Sequence, residues 1–202
     1  VAWSAPRTWV VGEIVTAAEL NTNVRDNMLM LGGADGVGTS FPGSPVDGQP
    51  YTYVADSTNG VYWNFKWRNA SSYWAFVGGP PLFNTVETSG ESTSSTTYAA
   101  LATAGPSIAV PFAGDYDVEI GAAIDPASGN IAYMSYDIGG TGAVDADQII
   151  ATNPGGTAWY WSVGRIRRKT LTAVTLTAKY KVDTASTANF GKRWMALTPV
   201  KK

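Results

Sequence analysis

The run LTAVTLTAKYKV, residues 171–182, alternates along its whole length. Leu171, Ala173, Thr175, Thr177, Lys179 and Lys181 fall on one side. Thr172, Val174, Leu176, Ala178, Tyr180 and Val182 fall on the other. Successive side chains of a strand point to opposite faces, so the second set is expected to face a core and the first to face solvent. One such strand implies others, because a single strand cannot satisfy its own backbone.

Working outward, the same pattern recurs between 83 and 202. Strands are predicted at Phe83–Glu87, Thr96–Leu101, Ser107–Val110, Gly114–Ala123, Ile131–Ile138, Gln148–Thr152, Ala158–Ile166, Leu171–Val182 and Trp194–Val200. Many short strands divided by turn residues predict a sandwich or barrel. Residues 83–202 therefore read as an antiparallel β-sandwich of the jelly-roll kind.

Residues 51–82 form a smaller unit. Tyr51–Val54, Val61–Arg68 and Tyr73–Val77 read as a three-stranded meander, with the Asn59-Gly60 turn between the first two. Trp63, Phe65 and Trp67 share one face of the middle strand. These rings offer either a stacking surface for sugars or the core of a sheet too small to build one otherwise. Residues 34–50 are rich in Gly, Pro, Ser and Asp and read as a linker.

Residues 1–33 differ again. The stretch WVVGEIVTAAELNTNVRDNMLMLGG, residues 9–33, holds the one convincing helix. Thr16 and Glu19 form a capping box, and Gly32-Gly33 supplies a stop. A helix of roughly 16 residues, about 24 Å, is marginal alone in water. Leu20, Val24, Asn27 and Leu31 follow spacings of four, three and four, a short seam with one polar member. That pattern fits self-association about an axis, the polar residue setting register, or an amphipathic helix lying on its own domain. Before the helix, Trp3, Trp9, Val11 and Ile14 anchor an extended arm. It docks either on a partner or on its own protein.

Composition narrows the function classes. Apolar residues make up 45% of the chain and charged ones 15%, with 22 Gly, so a folded β protein with many turns is expected rather than a disordered one. There is no Cys and no His. Thiol catalysis, disulfides, Cys/His zinc sites and His-based triads are excluded together. No apolar run is long enough to span a bilayer, and the first residues lack the basic-then-apolar pattern of a secretory signal.

Ten basic residues lie between Arg165 and Lys202 against Asp183 alone, so the rest of the chain is acidic. No nucleic-acid motif accompanies this asymmetry. Arg165, Arg167 and Lys169 share one strand face, as do Lys179 and Lys181. Asp115, Asp117 and Glu119 share a face of another strand, and cross-strand or inter-subunit pairing of these sets is expected. Those three acids, or Asp145 with Asp147, are the only candidates for glycosidic catalysis or for calcium. Neither cluster has the spaced loop ligands of an EF-hand, so no enzyme activity and no cofactor are expected. Trp159 and Trp161 share a strand face and read as a receptor contact or an inter-subunit core. The loops 125–130 and 139–147 are the natural places for variable specificity.

The run from Trp3 to Asn21 has the pattern W-x-x-P-x-T-W-x-x-G-E-x-V-T-A-A-x-L-N and continues to Arg25-Asp26-Asn27. It resembles the N-terminal segment of tailed-bacteriophage structural proteins of the tail-fibre, minor-tail and head-fibre type. Pro45, Gly48, Gln49 and Tyr51, with Trp74 through Leu82, resemble a recurrent phage element, P-x-x-G-Q-x-Y followed by W-x-F-V-G-G-x-P-L. The ending from Phe190 to Val200 looks like the closing strand of jelly-roll domains in virion trimers. The resemblance implies a virion protein on the tail or capsid surface that assembles as a homotrimer. It implies docking of the N-terminal arm on other virion proteins and, for a fibre, contact with a host-surface glycan. A receptor-binding short fibre and a head-fibre or capsid decoration protein both fit. A stand-alone carbohydrate-binding module is the alternative from outside that class. Neither nucleic acid nor a membrane span is expected.

Overall fold

The computed structural model describes residues 4, 7–28, 36–88, 90–155, 158–162, 164 and 166–202. The protein is mainly β, with a short helical segment near the N-terminus and a β-sandwich. It divides into two compact units. One takes the chain to Pro80 together with Val200–Lys202, and the other is Pro81–Pro199.

The first unit contains the aromatic meander. β1 (Val37–Gly38) runs parallel to β2 (Pro50–Asp56). β3 (Val61–Arg68) lies antiparallel between β2 and β4 (Tyr73–Gly78). β3 alternates as its sequence requires: Val61, Trp63 and Phe65 are buried, and Tyr62, Asn64 and Lys66 are exposed. Tyr51, Tyr53 and Trp74 complete the core. The rings thus point inward, and the meander does not offer them as a stacking surface. Phe41, from the stretch that reads as a linker, lies with its ring centroid 5.1–5.5 Å from Tyr51, Tyr53, Phe65 and Trp74. Composition marks that stretch as turns, but one ring is enough to bring it into the core. Gly38 is needed here, because a Cβ would fall 2.6 Å from the Tyr51 hydroxyl, which donates to the Ser40 carbonyl at 2.7 Å.

The second unit is the sandwich. Its strands are β5 (Leu82–Val86), β6 (Glu91–Thr93), β7 (Ser107–Ala109), β8 (Gly114–Pro126), β9 (Ile131–Ile138), β10 (Ile149–Thr152), β11 (Tyr160–Ser162), β12 (Arg167–Leu171), β13 (Thr175–Val182) and β14 (Ala188–Lys201). β5 and β6 both pair with β14, and β11 and β12 both pair with β8. With each split pair taken as one position, one sheet runs β5/β6–β14–β8–β11/β12 and the other β10–β9–β13–β7. First pairs with last, second with seventh, third with sixth and fourth with fifth. That nested pairing is the jelly-roll topology. The core is drawn from both sheets, with Tyr116, Val118 and Ile120 of β8 and Met134 and Tyr136 of β9 buried. Leu176, Ala178 and Tyr180 of β13 and Phe190 and Leu197 of β14 are buried as well.

Four predicted strands are revised. Leu171–Val182 is two strands, because Thr172, Ala173 and Val174 carry the chain from the partner of β8 to the partner of β9. The alternation holds from Leu176 to Val182, but Leu171 is buried and Thr172 exposed. The buried phase thus changes at the crossing. Thr96–Leu101 makes only one bridge, Ala99 to Tyr180, so its apolar residues are anchors in a loop. β14 starts six residues before the predicted Trp194, absorbing Gly191-Lys192 as an irregularity between its β6 and β5 pairings. Of Ala158–Ile166 only Tyr160–Ser162 is strand, and Val163 and Arg165 lie outside the described residues.

Arg193 is fully buried in β14. Its guanidinium donates to the Thr103 carbonyl at 3.2 Å, to Thr88 Oγ1 at 2.9 Å and to Glu91 Oε2 at 3.2 Å. It also lies 5.4 Å from the Tyr180 ring centroid, and the Tyr180 hydroxyl donates to the Gly105 carbonyl at 2.7 Å. One side chain therefore ties β6, the loop after β5 and the loop before β7 to the closing strand. Hydrogen bonds from Thr103, with the Arg193 charge behind them, hold Glu91 below the ordinary value of 4.5. Removing one partner of a buried pair leaves the other charge uncompensated. Arg193→Ala is expected to lower the unfolding free energy by about 3–5 kcal/mol. Arg193→Lys should recover only part of this, since an ammonium lacks the planar fork. Urea melts measure both. Glu91 contributes fully above 4.5 and its contribution disappears as pH falls through the lower folded value. Acidification should therefore cost the wild type more stability than Glu91→Gln.

Candidate functional site

Two places present side chains outward in a way that the interior does not explain. The first is the N-terminal module. Helical structure starts at Ala17–Leu20, widens to a π-turn over Asn21–Arg25 and resumes at Asp26–Met28. The capping box forms as predicted. Glu19 N–H donates to Thr16 Oγ1 at 3.2 Å, and Thr16 N–H donates to Glu19 Oε2 at 2.9 Å. Arg7 reaches back from the arm to both Glu13 and Glu19 and lies over the Trp9 ring at 4.7 Å. Asn27 pairs with one backbone unit of the arm. Its Oδ1 accepts from Ser4 N–H at 2.9 Å, and its Nδ2 donates to the Ser4 carbonyl at 3.0 Å. Arm and helix are thus latched at two points.

This changes the predicted seam. Asn27 is buried and turned to the arm. Leu20, Val24 and Met28 instead line a shallow groove of about 520 Å³ with Asn21 and Arg25. The π-turn has a wider repeat than an α-turn, which suits a spacing of four throughout. The signal for Asn27 lay outside the local pattern, because its partner is 23 residues away. Leu31 and Trp3 lie outside the described residues. Of the remaining arm residues, Val11 and Ile14 stand in solvent and Trp9 is 38% exposed.

The second place is on the sandwich. Trp161 of β11 is opposite Ala123 of β8 and faces outward, 61% exposed, while its neighbour Tyr160 is half-buried. Trp159, 45% exposed, shares a cleft of about 380 Å³ with Trp161, Thr88, Ala123, Gly191 and Lys192. Trp159 rests on glycine. A Cβ at Gly90 would fall 2.9 Å from its ring, and one at Gly191 would fall 3.4 Å from it. The Lys192 ammonium lies 5.6 Å from the Trp161 centroid. The sequence predicted that the two indoles share a face, but it did not bring Lys192 or Thr88 to them.

Of the acid clusters, Asp117, Asp145 and Asp147 each meet a nearby base. Asp117 takes a two-point ion pair from Arg168, directly opposite it, at 2.8 Å for each bond. Asp115 accepts from the Thr170 hydroxyl at 2.7 Å. Cross-strand pairing therefore occurs, through Arg168 rather than its neighbours Arg167 and Lys169. Arg165 lies outside the described residues. Lys169 instead meets the buried Asp147 at 2.6 Å. Desolvation, with that buried carboxylate added, pushes the Tyr136 phenol up. Lys181 holds Asp145 at 2.6 Å, between the rings of Tyr98 and Tyr133. Among the described residues no group of three or more His, Cys, Asp or Glu is placed to hold a metal ion. No helix of the described residues is long and apolar enough to cross a membrane. No known family model and no curated protein sequence matches the chain.

The latch has an acid limit. The Thr16 backbone N–H, then Arg7, holds Glu19 down at about 2, against an ordinary 4.5. A depressed carboxylate contributes above its ordinary value and loses its contribution as pH falls through the folded one. NMR titration of the Glu19 carboxyl should give a midpoint near 2, and Arg7→Gln should move it up toward 4.5.

Proposed function

We propose that this chain is a non-enzymatic structural protein of a tailed-bacteriophage particle. It forms a trimeric short fibre or another tail-associated, receptor-binding component on the particle surface. One observation carries this. The N-terminal module leaves Val10, Val11, Ile14, Leu20, Val24 and Met28 exposed, while its polar groups latch arm to helix. Leu20, Val24 and Met28 lie together; an exposed apolar patch marks an interaction site, and a helix this short depends on packing. Three copies around an axis bury the Leu20–Val24–Met28 groove. The arm, with Val11 and Ile14, is left for another virion protein. The likeness of residues 3–21 to phage structural N-termini supports the same assignment, as does the jelly roll. The pairing of Asp117, Asp145 and Asp147 with bases favours a binding role over catalysis.

A head-fibre or capsid decoration protein is the second reading. It is favoured by the sandwich strands starting at Leu82, soon after the meander ends at Gly78, with no shaft between them.

Light scattering of the full chain is expected to give three times the 21.3 kDa chain mass. Leu20→Asp with Val24→Asp should reduce it to one, with the β-sheet circular dichroism unchanged. A monomeric wild type overturns the trimer. Antibody labelling of particles by electron microscopy tests location. Label at the tail supports the first reading, label on the capsid the second, and particles without label overturn both.

A further inference from the structure

We infer that the cleft between Trp159, Trp161 and Lys192 is a binding site for an acidic saccharide, a glycan bearing carboxylates such as uronate or sialate. This rests on the surface-display reading for its biological role, and on the geometry of the cleft for its chemistry.

The rings come first. Indole carries more apolar surface than any other side chain, and its exposure is uncommon without a partner. Here two exposed indoles line one concavity. Trp159 packs against glycine, since a Cβ at Gly90 would press on its ring at 2.9 Å and one at Gly191 would touch it at 3.4 Å. A fixed flat apolar face suits the C–H face of a pyranose, whose hydroxyl rim needs polar groups alongside. Thr88 supplies some, and it is itself fixed by the Arg193 guanidinium at 2.9 Å. The volume, about 380 Å³, falls at the small end of ligand clefts.

Charge then selects among saccharides. Lys192 has φ +46°, in the left-handed region that a residue with a Cβ occupies at a cost. Asn or Gly would occupy it more readily. The distortion sits where β14 changes partner from β6 to β5, and it sends Lys192 outward over Trp161. Lys169, Lys181 and Arg193 each meet a carboxylate, whereas Lys192 makes no ion pair among the described residues. A cation beside an aromatic wall, with no ion-pair partner among the described residues, complements an anionic ligand. An inter-subunit core over Trp161 would bury Lys192 with it, and burial without a partner charge is costly.

The test titrates the purified full chain with uronate, sialate and pyruvylated oligosaccharides and with neutral oligosaccharides of matched length. Tryptophan fluorescence and calorimetry are the readouts. At least one acidic oligosaccharide should bind more than tenfold tighter than its neutral counterpart. Trp161→Ala should weaken it at least tenfold. Lys192→Asn should remove the acidic preference without lowering Tm, because Asn accepts that backbone. The inference is overturned if no acidic member binds, if neutral members bind equally, or if binding is indifferent to both substitutions. Binding by a chain that does not label particles would overturn the particle reading and leave the cleft standing, and binding by a monomer would overturn the trimer alone.

Discussion

The backbone of β14 makes more demands than any other segment of the sandwich. Along fourteen residues it pairs with β6, then with β5, and neighbours β8 on its other side. Every N–H and C=O of a buried strand needs a partner, so this strand fixes which segments must come together. The nested pairing follows from it. Once the last strand lies beside the first, the second and seventh, and then the inner pairs, are brought into line. Arg193 adds a side-chain version of the same constraint. It bonds to Glu91 of β6 and to the loops at Thr88 and Thr103, and its position in β14 means that these loops close only when β14 is in register.

Much of this was legible in the sequence because it is periodic. Leu176, Ala178, Tyr180 and Val182 announce a buried face, Val61, Trp63 and Phe65 another, and Thr16 with Glu19 announces a helix start. What was not legible is non-local. Near Leu171 the alternation slips once, at Ala173-Val174, but neither residue says that the chain changes sheets there. Thr96–Leu101 has the composition of a strand but finds a single partner residue. Arg193 reads as a solvent-facing cation until its acceptors at 88, 91 and 103 are brought to it. Asn27 is the same case in the helix, since a heptad pattern assigns it to a seam and a backbone unit 23 residues earlier takes it away.

The charge asymmetry has a similar origin. Bases concentrated late in the chain meet acids placed earlier, because nested topology sets late strands beside early or middle ones. Arg168 meets Asp117, Lys181 meets Asp145 and Arg193 meets Glu91. In the sequence this is a separation of charge, but in the fold much of it cancels locally. For the candidate site, the shared face of Trp159 and Trp161 was readable from their spacing. Lys192 was not, because its place depends on an irregularity in β14 that no residue type announces.

The glycines beneath Trp159 divide the cleft by how freely it can change over evolution. Gly90 and Gly191 come from chain segments about a hundred residues apart. A side chain at Gly90 would press on the ring, and one at Gly191 would touch it. The rim is unconstrained in this way, because Trp161 and Lys192 project from the surface and contribute nothing to the core. Variation can therefore accumulate at the rim while the floor stays fixed. A lineage could change what it recognises by single substitutions that leave folding untouched.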